Sequence, residues 1–185
     1  QTPIYVAPDR LRRELERRRG RPLIFPALLG GHGRGARVRL ADGTWKLDFV
    51  GGIGVYAFGH ADPDLLETAV VAAAADTVFQ GHLFPGPEYL RVSRALLRHA
   101  GRRLRHVWLS VSGAMANENA LKMVLQKRHP ADRIVGFEGN FAGRTTTLAE
   151  LTDKAAYREG LALRGNVLLV PFYDAAHPDP IGRSL

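Results

Sequence analysis

The segment HVWLSVSGAMANENALKMVLQKR (residues 106–128) limits the possible folds of this chain more than any other. An apolar run reaches Ser112, Gly113 and Ala114 and passes directly into a helix with Ala116, Ala120, Leu121, Val124 and Leu125 on its inner side. A strand feeding a helix through three small residues is a unit of layered α/β architecture. The neighbouring sequence keeps the rhythm: a strand around 106–109, a helix around 116–128, and strands around 133–137 and 166–172. Such alternation predicts an α/β fold with a mostly parallel sheet. The turn is also a natural anion cradle, because free backbone N–H groups and the positive end of the helix dipole both favour a dianion. Gly113 would let the backbone approach that anion closely. Physical chemistry alone leaves two readings open here, a phosphate site and a tight turn with no ligand.

Upstream, residues 10–21 (RLRRELERRRGR) place Leu11 and Leu15 at i, i+4 and predict a solvated amphipathic arm. The glycines of GGHGRG (30–35) and GGIGVYAFG (51–59) match neither G-x-G-x-x-G nor a Walker pattern, so flexible loops are expected. Residues 37–49 alternate apolar and polar around Asp42-Gly43, the mark of a hairpin with half-buried strands. Asp64 with Glu67 three residues on reads as a capping box opening an alanine-rich helix over 64–79. A loop, QGHLFPGP, follows, then a helix over 88–99 closed by Gly101. A boundary is expected within 81–87, dividing the chain into 1–87 and 88–185.

Composition narrows the function classes. The 26 basic and 18 acidic residues leave a net charge of +8, which taken alone suggests an anionic partner such as nucleic acid. The arginines are spread over many segments, however, and the densest run reads better as a solvated helix face. The chain has no cysteine, which removes disulfides, thiolate metal sites and cysteine nucleophiles. No apolar run approaches the roughly 18 to 20 residues of a membrane span, and residues 1–21 hold no signal-peptide core, so a cytoplasmic setting is expected. Ser110 and Ser112 do not stand in a G-x-S-x-G elbow, which sets a hydrolase aside.

SGAMANENALK (112–122) resembles the S-G-x-E-A-N-E-x-A-I-K segment of class III aminotransferases of the ornithine, acetylornithine and 4-aminobutyrate type. Four further landmarks occur in the family order: ADGTWKLDFVGGIGV (41–55), FGHADP (58–63), GFEGNFAGRTT (136–146) and LTDK (151–154) ahead of an apolar strand. The resemblance implies the pyridoxal-phosphate (PLP) dependent transferase fold type I, incomplete. Residues 1–87 would supply the N-terminal arm, hairpin and small-lobe segment, and 88–185 the first part of the PLP-binding large domain with its mixed sheet. It implies pyridoxal 5'-phosphate as cofactor and an amino group moved from an ornithine-, lysine- or 4-aminobutyrate-like donor to a 2-oxo acid such as 2-oxoglutarate. It also implies a homodimer, with the loop at 80–87 reaching the partner's pocket.

Carried over residue by residue, Ser112, Gly113 and Ala114 would wrap the cofactor phosphate, the last two through backbone N–H groups. Phe141 would stack on the pyridine ring, Arg144 would grip a substrate carboxylate, and Ile53 would line the substrate pocket where some relatives carry a tyrosine. Apart from the family, Phe141 could equally be a core aromatic and Arg144 part of a surface ion pair. Met115 departs from the family glutamate and Ala142 from a larger ring, which leaves the subfamily open. The family's Schiff-base lysine, ring-nitrogen aspartate and ring-hydroxyl partner are all expected downstream. Lys46, Lys122, Lys127 and Lys154 do not stand in the lysine's context, so no catalytic residue is assigned within the chain. It is expected to be a partial product, inactive by itself. The rival expectation is a basic nucleic-acid-binding or interaction module derived from an aminotransferase half.

Overall fold

The computed structural model describes residues 8–25, 27–76, 83–177, 179 and 182, and the chain divides into two compact units, Gln1–Gly86 and Pro87–Leu185.

In the first unit the arginine-rich arm is the helix α1 (Pro8–Arg19), with Glu14 bonded to Arg17 and Arg18 one turn away. These exposed pairs stabilise the helix little, and the arm is the solvated face its composition suggests. Three strands follow in an antiparallel sheet of order β1-β2-β3: β1 (Leu29–Arg34), β2 (Arg37–Leu40) and β3 (Trp45–Leu47). The hairpin forms across Asp42-Gly43, where Gly43 adopts φ +87° and the Asp42 carboxylate accepts from the Thr44 N–H at 2.9 Å. Its strands are more open than the alternation suggests, since Trp45 and Leu47 are 48% and 58% exposed.

The expected flexible loop at 30–35 is instead largely strand β1. Its glycines serve close approach rather than mobility. A Cβ on Gly30 would lie 2.8 Å from the Leu40 carbonyl oxygen, and one on Gly33 would lie 2.5 Å from the His60 ring. A strand of glycines has no apolar alternation to reveal it. The second expected loop is also ordered at its start. The single turn α2 (Gly51–Gly54) is left-handed, with φ near +60° at both Gly52 and Ile53.

Asp48 holds that turn. Its Oδ1 accepts from the Val50 and Gly51 N–H groups at 2.9 Å each, and its Oδ2 meets His60 Nε2 at 2.7 Å. The His60 bond first, and then the backbone N–H groups, hold the Asp48 carboxyl below its ordinary value of 3.8. A carboxyl depressed in the folded state contributes stability above its unfolded value and loses it as pH falls through the folded one. The Val50 and Gly51 amide resonances should therefore titrate with a midpoint below 3.8. A midpoint at or above that value would show that the carboxylate does not hold the turn.

The helix α3 (Pro63–Ala74) is capped by Asp62, whose side chain accepts from the Leu65 N–H at 3.1 Å, and not by Asp64. Pro63 explains the shift: at the first helical position its missing N–H costs nothing and its fixed φ suits the helix. Residues 77–79 of the expected helix and 80–82 of the proposed interface loop lie outside the described residues.

The second unit contains α4 (Pro87–His99), α5 (Gly113–Arg128), β4 (Ile134–Phe137), α6 (Thr146–Leu151), a 3-10 turn (Ala155–Tyr157) and β5 (Val167–Val170). Strands β4 and β5 pair in parallel, Ile134 opposite Val167 and Phe137 opposite Val170. The strand expected around 106–109 is absent, and that segment is irregular. The most buried side chains among the described residues cluster at α6: Leu148 at 0%, Ala149 and Thr152 at 1%, and Glu150 at 7% exposure. The Glu150 carboxylate accepts from the Arg164 and Gly165 N–H groups, at 3.0 and 2.6 Å, and fixes the turn that enters β5. Among the described residues no helix is long and apolar enough to cross a membrane.

Candidate functional site

The cradle forms because Ser112 caps α5. It is extended, at φ −163° and ψ 163°, and its Oγ accepts from the Met115 N–H at 3.2 Å. The helix therefore starts at Gly113, three residues before the apolar stripe begins, since the cap and not the stripe sets the first turn. The Ala116 N–H reaches the Ser112 carbonyl oxygen at 2.9 Å, while the N–H groups of Gly113 and Ala114 have no partner among the described residues. A Cβ on Gly113 would meet nothing within 4 Å, so the space before these donors is open. Two unpaired N–H groups, a hydroxyl proton and the end of a 16-residue helix suit a phosphate dianion. Met115 leaves this intact, because the cradle is made by backbone and Ser112.

The loop carrying Phe141 and Arg144 lies against the same turn. Asn117 Nδ2 donates to the Ala142 carbonyl oxygen at 2.8 Å, and the Thr145 hydroxyl, which caps α6, bonds to Glu118. Gly143 has φ +146°, and a Cβ there would lie 2.7 Å from Leu148 Cδ1 and 3.0 Å from Ala114 Cβ. Only glycine lets the loop pass this close to the cradle. The structure thus brings Ser112, Gly113, Ala114, Phe141 and Arg144 into one region of the second unit.

Phe141 is 65% exposed rather than a core aromatic, and Arg144 has no ion pair among the described residues. Both contact Tyr157: the Phe141 ring meets it edge-on at 6.2 Å, and Arg144 Cζ lies 5.9 Å from its centroid. Lys154 Nζ lies 5.2 Å from that centroid. Sequence reasoning missed Tyr157, whose signal was an aromatic three residues beyond LTDK. Ile53 belongs to the first unit, where it sits on the left-handed turn with 91% of its surface exposed. Of the remaining lysines, Lys46 lies on β3 and Lys122 and Lys127 on α5. Among the described residues no cluster of His, Asp or Glu is arranged to hold a metal ion.

Residues 24–183 match the family model described as Aminotransferase class-III. An acetylornithine aminotransferase of Streptomyces coelicolor is 39% identical over 143 residues, covering 77% of this chain and 35% of that protein. A 2-aminoadipate transaminase of Pseudomonas putida is 35% identical over 156 residues, covering 83% of this chain and 37% of that one. The ornithine aminotransferase of Toxoplasma gondii superposes with a TM-score of 0.79 at 20% identity, over 91% of this chain and 41% of that one, and shows the same fold. The chain spans about a third of the length of the curated relatives it matches.

Proposed function

The chain belongs to the class III aminotransferase family, and from that membership we propose that it is the N-terminal part of an enzyme that moves an amino group to a 2-oxo acid such as 2-oxoglutarate. The donor in this reading is an ornithine-, lysine- or 4-aminobutyrate-like amine. The fold is an incomplete α/β fold of the PLP-dependent transferases, whose cofactor in this family is pyridoxal 5'-phosphate. The observation that carries the reading is the approach of Gly143 to Ala114, which sets the loop of Phe141 and Arg144 on the helix end suited to a phosphate.

When bound, the cofactor supplies an electron sink, and the protein supplies binding, orientation and charge. Ser112 holds the phosphate through its hydroxyl proton, and Gly113 and Ala114 through their N–H groups. Phe141 covers one face of the pyridine ring and keeps water from it. Arg144 pairs with a substrate carboxylate, and Ile53, in the first unit, is a substrate contact by family resemblance. Acetylornithine and 2-aminoadipate, named for two relatives, both carry a carboxylate suited to such an arginine. Residues 1–87 act as small-lobe and interface segment, 88–185 open the large domain, and the enzyme works as a cytoplasmic homodimer. No feature of the site favours nucleic acid as the partner.

Two measurements test this. The full-length enzyme, given PLP, 2-oxoglutarate and each of ornithine, acetylornithine, 4-aminobutyrate and 2-aminoadipate, should form glutamate with at least one donor. No glutamate from any of them would overturn the assignment. The second concerns the 185-residue chain alone. None of Lys46, Lys122, Lys127 and Lys154 takes the Schiff-base role, so borohydride reduction with PLP should leave no stoichiometric pyridoxyl label on a single lysine. One fully labelled lysine in a peptide map would place that role within this chain.

A further inference from the structure

Thr152 is 1% exposed, and all the bonding capacity of its hydroxyl goes to the backbone between Phe141 and Arg144. Oγ1 accepts from the Ala142 N–H at 3.0 Å and from the Gly143 N–H at 3.1 Å, and it donates to the Gly143 carbonyl oxygen at 2.8 Å. A hydroxyl has one proton and two lone pairs, so this set is complete. Adjacent bonds extend the clamp. The Asp153 N–H reaches the Asn140 carbonyl oxygen at 3.1 Å, Asp153 Oδ2 accepts from the Gly139 N–H at 2.7 Å, and Asn140 Nδ2 donates to the Leu151 carbonyl oxygen at 3.0 Å. From the other side, Asn117 holds the Ala142 carbonyl oxygen.

We propose that Thr152 is a positioning residue for amino-group transfer: by gripping residues 142 and 143 it sets the direction in which Phe141 and Arg144 leave the loop. The proposal rests on the cofactor and carboxylate roles given above to those two side chains. A valine would fill the same space and leave two N–H groups and a carbonyl without their partner. The loop would relax, and the guanidinium fork would lose its aim before the fold lost its core.

The test uses the full-length holoenzyme with Thr152→Ser, Thr152→Val and Thr152→Cys. The serine variant keeps the hydroxyl and should stay within about twofold of wild type in KM for 2-oxoglutarate. The valine variant should raise that KM about tenfold, the scale of one or two lost hydrogen bonds. It should also shift the absorbance band of bound PLP. In an Arg144→Ala background the same change should add less than about twofold to the KM, because the group it aims is gone. The cysteine variant, whose thiol bonds weakly, should fall between serine and valine and decides the matter if the valine protein does not fold. A KM and absorbance band unchanged in valine or cysteine, with only the melting temperature lowered, would overturn the positioning role, as would failure of serine to rescue. If Arg144→Ala itself leaves the KM unchanged, the carboxylate role falls and the proposal with it. If Arg144→Ala raises it and Thr152→Val does not, only the Thr152 proposal is overturned.

Discussion

Gly113→Val in the full-length enzyme should lose most of its PLP on dialysis while its melting temperature stays within a few degrees of wild type. The two effects separate because of where the added side chain goes. A Cβ at Gly113 meets nothing within 4 Å, and Gly113 needs no left-handed φ, so the chain itself accepts a side chain there. Valine is no worse a helix former than the glycine it replaces, better by roughly a few tenths of a kcal/mol, so helix propensity does not oppose the change. The valine methyl groups would instead stand in the open space before the Gly113 and Ala114 N–H groups, where a phosphate must come. Hydrogen bonds to a charged group contribute about 1.5 to 3 kcal/mol each. Losing two of them weakens retention by about a hundredfold or more. PLP content after dialysis, with a thermal melt beside it, decides the outcome. Unchanged occupancy would make Ser112-Gly113-Ala114 a tight turn with no ligand.

Arg144→Ala should lower kcat/KM for a dicarboxylic 2-oxo acid by about one to two powers of ten and spare an amine or aldehyde substrate that has no carboxylate at that end. The fold should barely register the change. Arg144 is exposed, and its guanidinium lies 5.9 Å from the centroid of the Tyr157 ring, the kind of exposed cation–π pair that contributes about 0.5 to 1 kcal/mol. A planar guanidinium meets a carboxylate with two parallel bonds, whereas an ammonium is a point charge, so Arg144→Lys should recover only part of the loss. Steady-state kinetics on substrates with and without the carboxylate separate the possibilities. Equal losses on both would mean that Arg144 holds the loop or the cofactor rather than the substrate.

Much of this molecule is legible in the sequence because its causes are local. The Asp42-Gly43 hairpin, the α1 arm, the Ser112 turn and the separate strands β4 and β5 each follow from φ preferences, caps or apolar runs within a few residues, whereas the pairing of β4 with β5 is a long-range contact. The family resemblance added Phe141 and Arg144 as names, without a geometry. What required the tertiary structure were contacts between residues far apart in the chain. Residues 29–34 became a strand because glycines let Leu40 and His60 approach, while residues 106–109, though apolar in sequence, are irregular. Thr152 and Tyr157 escaped notice for the same reason: their partners at 141 to 144 lie nine to sixteen residues away, too far for any helical or strand periodicity to mark. Periodicity and capping record what a residue does to its own backbone. The hydroxyl of Thr152 acts on another segment's backbone, and only packing around Leu148 brings that segment within reach of it.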